Sequence, residues 1–254
     1  MDLWRVRLFA LRSNGLCHTP SGGDDEVVEK EKKLARLACI VAIVLSLVMI
    51  TTIAEAQSVA RVLLIPREGE SSNLDVRLKK EIGVMIDLLQ KAGFKVVVAT
   101  VSGQPIEGVI GKLKPDLKLS EVKVDDYAGV MLPCFGVGLF PGPPVAPAAV
   151  SIVKQAVAKG KPVAAPLGSA YILAEAGVLK GRRYAFIDDP SIELPGIRKK
   201  DLRFEGAIYS GSGVVQDGNI ITSGACPSTE GWMGMRDLTP EVTRAFIAEL
   251  GRKK

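Results

Sequence analysis

The side chains able to do covalent chemistry in this chain are few. Cysteines stand at 17, 39, 134 and 226, and the single histidine is His18. From residue 57 onward there is no imidazole, which excludes Ser-His-Asp and Cys-His machinery from that part of the chain. The stretch KPVAAPLGSAYILA, residues 161–174, reads as a short apolar strand turning sharply into a helix. Turns of this kind hold a nucleophile at the carboxyl edge of many α/β sheets. Here the turn offers Pro166, Leu167, Gly168 and Ser169, with Pro166 expected at its apex. The elbow is built, and its reactive atom is missing.

Three groups could compensate. Glu81 shares a helix face with Leu74, Leu78, Met85 and Leu88, so burial raises its pKa unless donors reach it. It reads either as a pocket carboxylate for a ligand or water, or as an acid paired with a Lys or Arg at the edge of the core. Cys134 and Cys226 both fall in loops expected at one sheet edge. They are candidates for a disulfide. Alternatively, Cys134 is a displaced nucleophile, or both are inert buried thiols that pack as small hydrophobes. Without histidine or clustered cysteine a transition-metal site is not expected, and no cofactor is implied. The glycine-rich run GVGLFPG (136–142) follows the third strand and is crowded by prolines, so it is not read as a dinucleotide turn.

The elements that must position these residues follow from apolar patterning. Buried-strand runs lie at 60–66, 95–101, 127–134 and 162–167. Helical spacing covers 74–93, 146–160, 169–177 and 239–250, and one short helix is expected within 105–112. Residues 207–224 read as strand, turn and strand, with Asp217-Gly218 at the hairpin tip. Alternating strand and helix predict an α/β three-layer sandwich with a mostly parallel central sheet. Its sites belong beyond the carboxyl ends of the strands, in loops 66–73, 133–145, 166–169 and 224–232.

Residues 1–56 are a different kind of sequence. A polar stretch ends in EKEKKLAR, and residues 37–54 then carry no charge before the small-x-small site Ala54-Glu55-Ala56. This is the pattern of an export signal, or of a membrane anchor if it is not cut. Lys30, Lys32, Lys33 and Arg36 should stay inside, which places 57–254 outside the cytoplasm. The leader holds seven basic and seven acidic residues, so the net charge of +5 belongs to 57–254. That charge is dispersed and aromatics make up 5% of the chain, so no nucleic-acid surface is expected.

The segments DDYAGVMLPCFG, KGKPVAAPLGSAYILAEAGVLKGRRYAF and VVQDGNIITSGACPSTEG resemble the DJ-1/PfpI (ThiJ/PfpI) family over about 60–250. The resemblance implies a flavodoxin-like sandwich, frequently a homodimer. It also implies a site made of an elbow cysteine, a helix-borne glutamate and oxyanion-hole amides. Carried over position by position, the cysteine falls on Pro166 and the residue after it on Leu167. The glutamate falls on Glu81, and the glycine loop on Pro133, Cys134 and Phe135. The sequence thus reads as an exported domain that kept the fold and lost the nucleophile, a non-catalytic binding or interaction protein. The alternatives are a hydrolase, glyoxalase or deglycase-type enzyme relocated to Cys134 and Glu81, and a chaperone-like stress protein.

Overall fold

The computed structural model describes residues 29–30, 32–40, 59–68, 74–134, 145–196 and 199–252. The leader, 1–58, forms one unit, of which 29–30 and 32–40 are described as exposed helix. Most of the uncharged run, the Ala54–Ala56 site and Phe135 lie outside the described residues. Among the described residues no helix is long and apolar enough to cross a membrane.

Residues 59–254 form the second unit. Its strands are β1 (Arg61–Leu64), β2 (Lys95–Thr100), β3 (Ile106–Glu107), β4 (Lys112–Leu113), β5 (Leu117–Lys118), β6 (Gly129–Met131), β7 (Val163–Pro166), β8 (Arg183–Tyr184), β9 (Ile208–Tyr209), β10 (Val214–Asp217) and β11 (Ile220–Ser223). Helix α1 runs through Leu74–Val76, a π-helical stretch Arg77–Ile82, and Gly83–Lys91. It is followed by α2 (Pro147–Ala158), α3 (Ala170–Glu175), α4 (Pro227–Met233) and α5 (Thr239–Arg252).

The main sheet has the order β10-β11-β7-β6-β1-β2-β5. All neighbours are parallel except the β10–β11 hairpin. Alternation along each strand sends side chains to two cores, one on each face. Leu63, Val97, Ala99, Val130 and Leu132 pack towards α2 and α3. Val62, Leu64, Val98 and Met131 pack with Ile82, Met85 and Leu89 of α1, and with Val242, Phe246 and Leu250 of α5. β1 feeds β2 on one side, whereas the chain returns through β6 on the other. The order therefore reverses at β1/β6, the position where sheets of this type open a crevice.

Two stretches differ from the sequence reading. Residues 105–112, expected as a short helix, form the antiparallel ribbon β3–β4. The Asp75 carboxylate accepts from the amides of Val109, Ile110 and Gly111, and Gly108 N–H bonds Gly111 C=O, so the turn is closed by a side chain outside the segment. The expected loop 224–232 contains α4, which starts with Pro227 in its first turn.

Candidate functional site

Four connections at the carboxyl edge converge. The first is the elbow. β7 ends at Pro166, the backbone passes through a 3₁₀ turn at Leu167–Ser169, and α3 follows. Leu167 has φ 41° and is the one non-glycine in the left-handed region among the described residues. Such a conformation costs about 1–3 kcal/mol and persists only where surrounding packing enforces it. Leu167 is itself buried. Ser169 Oγ donates to the Pro166 carbonyl at 2.7 Å. Tyr171 locks the start of α3 edge-on against Phe186 and Phe204, with both ring centroids at 5.4 Å.

The apex is therefore Leu167, not Pro166. Pro166 sits in extended backbone with φ −71°, and its ring forbids the left-handed geometry an apex needs. The strain thus falls on the next residue. The elbow keeps its backbone form and carries an aliphatic side chain at its tip.

The second connection brings in α1. Its π-helical stretch buries Arg77, Glu81 and Ile82 together, and such widened turns often occur at functional positions. Cys134 N–H donates to Glu81 Oε1 at 2.7 Å, and Arg77 Nη1 donates to the Cys134 carbonyl at 2.7 Å. The helix thus holds both backbone groups of one residue just beyond β6. Glu81 is fully buried, and among the described residues its Oε2 has no hydrogen-bond partner. Burial, then the nearby Cys226, push its pKa well above the usual carboxylate range against the opposing Cys134 amide and Arg77. This favours the protonated acid.

The third and fourth connections supply the thiols. The structure carries Cys134 and Cys226 as buried thiols rather than as a disulfide, both in the core cluster that packs towards α2 and α3. The Gly168 amide, just past the elbow apex, favours the Cys134 thiolate. Cys226 caps α4. Thr229 N–H donates to the Cys226 carbonyl at 3.0 Å, and Thr229 Oγ1 accepts from Cys226 N–H at 3.0 Å. The two sulfurs titrate as a pair. Cys226 is lowered to about 7, by the Cys134 thiol first and then by the Ser228 and Thr229 amides, against the opposing effect of burial. Cys134 is pushed well up by its contact with Cys226, by burial and by Glu81. The two thiols are thus shifted in opposite directions, Cys226 down and Cys134 up.

The sequence singled out Cys134, Cys226, Glu81 and Leu167; the structure bonds Glu81 to the Cys134 amide and buries Leu167 and Cys226 in the same core cluster as Cys134. Phe135 lies outside the described residues. Sequence reasoning missed Arg77 and the Gly168 amide. It had one usable signal for the true apex, since proline cannot take a positive φ.

A parallel α/β sandwich with a strained strand-to-helix elbow at its carboxyl edge defines a class of site-bearing domains. The DJ-1/PfpI family profile matches residues 78–234, and the chain belongs to this family. A protein from Archaeoglobus fulgidus is 39% identical over 137 residues, covering 53% of this chain and 75% of that protein. A protein from Pyrococcus abyssi named as a deglycase is 33% identical over 146 residues, covering 57% and 82%. In fold, the chain is similar to a ThiJ/PfpI domain protein from Brachyspira murdochii, with a TM-score of 0.56 and 17% identity over 78% of this chain and 99% of that one. It is also similar to DJ-1beta from Drosophila melanogaster, with a TM-score of 0.52 and 22% identity over 75% and 90%.

Proposed function

We propose that the chain is a thiol-dependent enzyme acting on a small carbonyl or glycated compound, with the elbow thiol replaced by the Cys134–Cys226 pair. The observation that carries this reading is the Glu81 carboxyl held at 2.7 Å from the Cys134 amide, at an edge where Cys134 and Cys226 share one core cluster with the elbow residue Leu167. Cys226 thiolate adds to the carbonyl carbon. Glu81 supplies the proton that the resulting alkoxide takes up, from Oε2, which has no partner among the described residues. Relatives named as deglycases, at 31–33% identity, support the substrate class.

The test is turnover of a methylglyoxal-glycated peptide by the full, reduced chain. Cys226→Ser falls to background. Glu81→Gln keeps an acceptor for the Cys134 amide and lowers kcat about a hundredfold, the scale of a lost general acid. Undiminished turnover in Cys226→Ser refutes the assignment.

One observation favours a second reading, a non-catalytic binding domain. Cys134 and Cys226 are 1% and 0% exposed. Under that reading the thiols pack, and the reduced chain shows no turnover.

Export and homodimerisation belong to the same proposal. The first is supported by the basic flank and uncharged run of the leader, the second by the family. If the leader is cut, the mature protein recovered outside the cytoplasm begins at Gln57, which an intact mass reads directly; a retained leader on cytoplasmic protein contradicts export.

A further inference from the structure

The ribbon β3–β4 ends in a turn of unexpected composition. Turns that face water are ordinarily made of Gly, Asn, Asp, Pro or Ser, and a two-stranded ribbon is marginal by itself. Here the turn is Gly108-Val109-Ile110-Gly111, and the side chains of Val109 and Ile110 are 96% and 92% exposed. No other large apolar side chain among the described residues is more than 70% exposed. The turn is also held in place. Asp75 accepts from the Val109, Ile110 and Gly111 amides at 2.8, 2.9 and 2.9 Å. A Cβ at Gly108 would lie 2.0 Å from Asp75 Oδ1, so glycine is what lets the carboxylate in. With those amides bonded to Asp75, the ribbon presents an apolar tip. Basic residues flank it. Lys79 and Lys80 lie one turn beyond Asp75 on α1, Lys112 and Lys114 follow the tip on β4 and just beyond it, and all four are exposed. The neighbouring acids are engaged: Glu107 pairs with Lys112 at 2.6 Å, Asp75 takes the turn amides, and Asp116 accepts from the Val98 amide.

We propose that this tip is a docking surface for an anionic lipid bilayer. Val109 and Ile110 enter the boundary between headgroups and acyl chains, and the four lysines meet lipid phosphates. Buried apolar area and attraction to anionic lipid are the two terms that set peripheral membrane binding. A protein partner fits the tip less well. Two side chains cover a small part of the about 800 Å² that each side of a standard interface buries, whereas a bilayer needs only a short apolar wedge beside positive charge. The contact is separate from the uncharged run of the leader and does not rest on the function proposed above. Asp75 belongs to α1, so docking brings the first turn of the helix that carries Glu81 to the bilayer.

The experiment uses the full chain and vesicles of phosphatidylglycerol and phosphatidylcholine in equal parts, with phosphatidylcholine alone as the comparison. In Ile110→Trp the new indole reports the tip itself, read against the wild-type emission of Trp4 and Trp232. Binding through the leader is thereby told apart from binding through the tip. The expected result is a blue-shifted tip emission on the mixed vesicles, quenched by brominated acyl chains and fading in high salt as the lysine attraction is screened. Replacing Lys79 and Lys80 by Gln in that variant raises the lipid needed for half the shift about 25-fold, at roughly fivefold per lysine near an anionic surface. Hydrogen exchange slowed over residues 106–113 of the wild-type chain on the mixed vesicles gives the same reading without a substitution. The proposal is overturned if tip emission and exchange are unchanged on the mixed vesicles, whether or not the chain sediments with them. An equal shift on phosphatidylcholine alone overturns the anionic surface. A shift that follows protein concentration without lipid makes the occupant a second copy of the chain, and overturns the bilayer as well.

Discussion

Leu167 bears the strain of an elbow without bearing its nucleophile. A left-handed leucine costs roughly 1–2 kcal/mol in backbone energy, and burial of its side chain offsets about 1.5–3 kcal/mol. The two terms can be separated by mutation. At an ordinary buried position glycine is less stable than alanine by about 0.5–1 kcal/mol. At Leu167 the order should invert, with Leu167→Gly more stable than Leu167→Ala by about 1 kcal/mol because only glycine relieves the positive φ. Denaturant unfolding of both variants reads the difference, and the ordinary order would show that φ 41° carries no strain. At this scale the sequence was half legible. The types Glu81, Cys134 and Leu167 were visible, but the apex was placed on Pro166. The missed argument was local and available: a ring that fixes φ near −65° cannot occupy the strained position.

At the scale of elements, the site depends on how connections approach one another. Gly224 opens the connection from β11 towards Cys226, and its N–H donates to the Ser212 carbonyl at 3.0 Å. A Cβ there would lie 2.5 Å from Ser212 Cα and closer still to the Phe186 carbonyl oxygen. Both are backbone atoms, so the segment has to shift. Gly224→Ala should destabilise by about 1–3 kcal/mol, the usual scale of overpacking, and should move Cys226 off Cys134. A thermal melt gives the first effect, and a changed alkylation rate at Cys226 gives the second. An unchanged melt would mean that the close approach is not obligatory. Strands, α1, α2 and α5 were readable from apolar spacing because each buries one regular face. The β3–β4 ribbon was not readable, since the carboxylate that closes it, Asp75, belongs to α1 and lies 34 positions from Val109. The π-helical stretch of α1 was hidden for a similar reason, because its buried Arg77 and Glu81 answer to Cys134 across the sheet edge.

For the molecule as a whole, the parallel order and the reversal at β1/β6 bring together groups that sequence leaves far apart. Glu81 and Cys134 are 53 positions apart and meet because α1, which carries Glu81, follows β1, and Cys134 follows β6, the strand beside it. The sandwich and its two-faced core followed from alternation of strand and helix, and the sheet edge that holds the site followed with it. Which thiol would ionise did not follow. That depends on donors at the start of α4 and on contact between two side chains, neither of which has a sequence period. The sequence offered Cys134 as a relocated nucleophile only as an alternative to inert thiols, and gave no ground for shifting the Cys226 thiol down.

The most direct measurement is the pH profile of cysteine alkylation in the native full chain, kept reduced and treated with limiting iodoacetamide, with each site read by peptide mass. A thiolate held on Cys226 predicts that this buried residue is modified ahead of exposed Cys39. Its rate should rise through a midpoint of about 7, well below the ordinary thiol value of 9.0. Labelling in order of exposure, with Cys39 first and Cys226 modified only on unfolding, would contradict the claim that the thiol pair has taken the place of the elbow nucleophile.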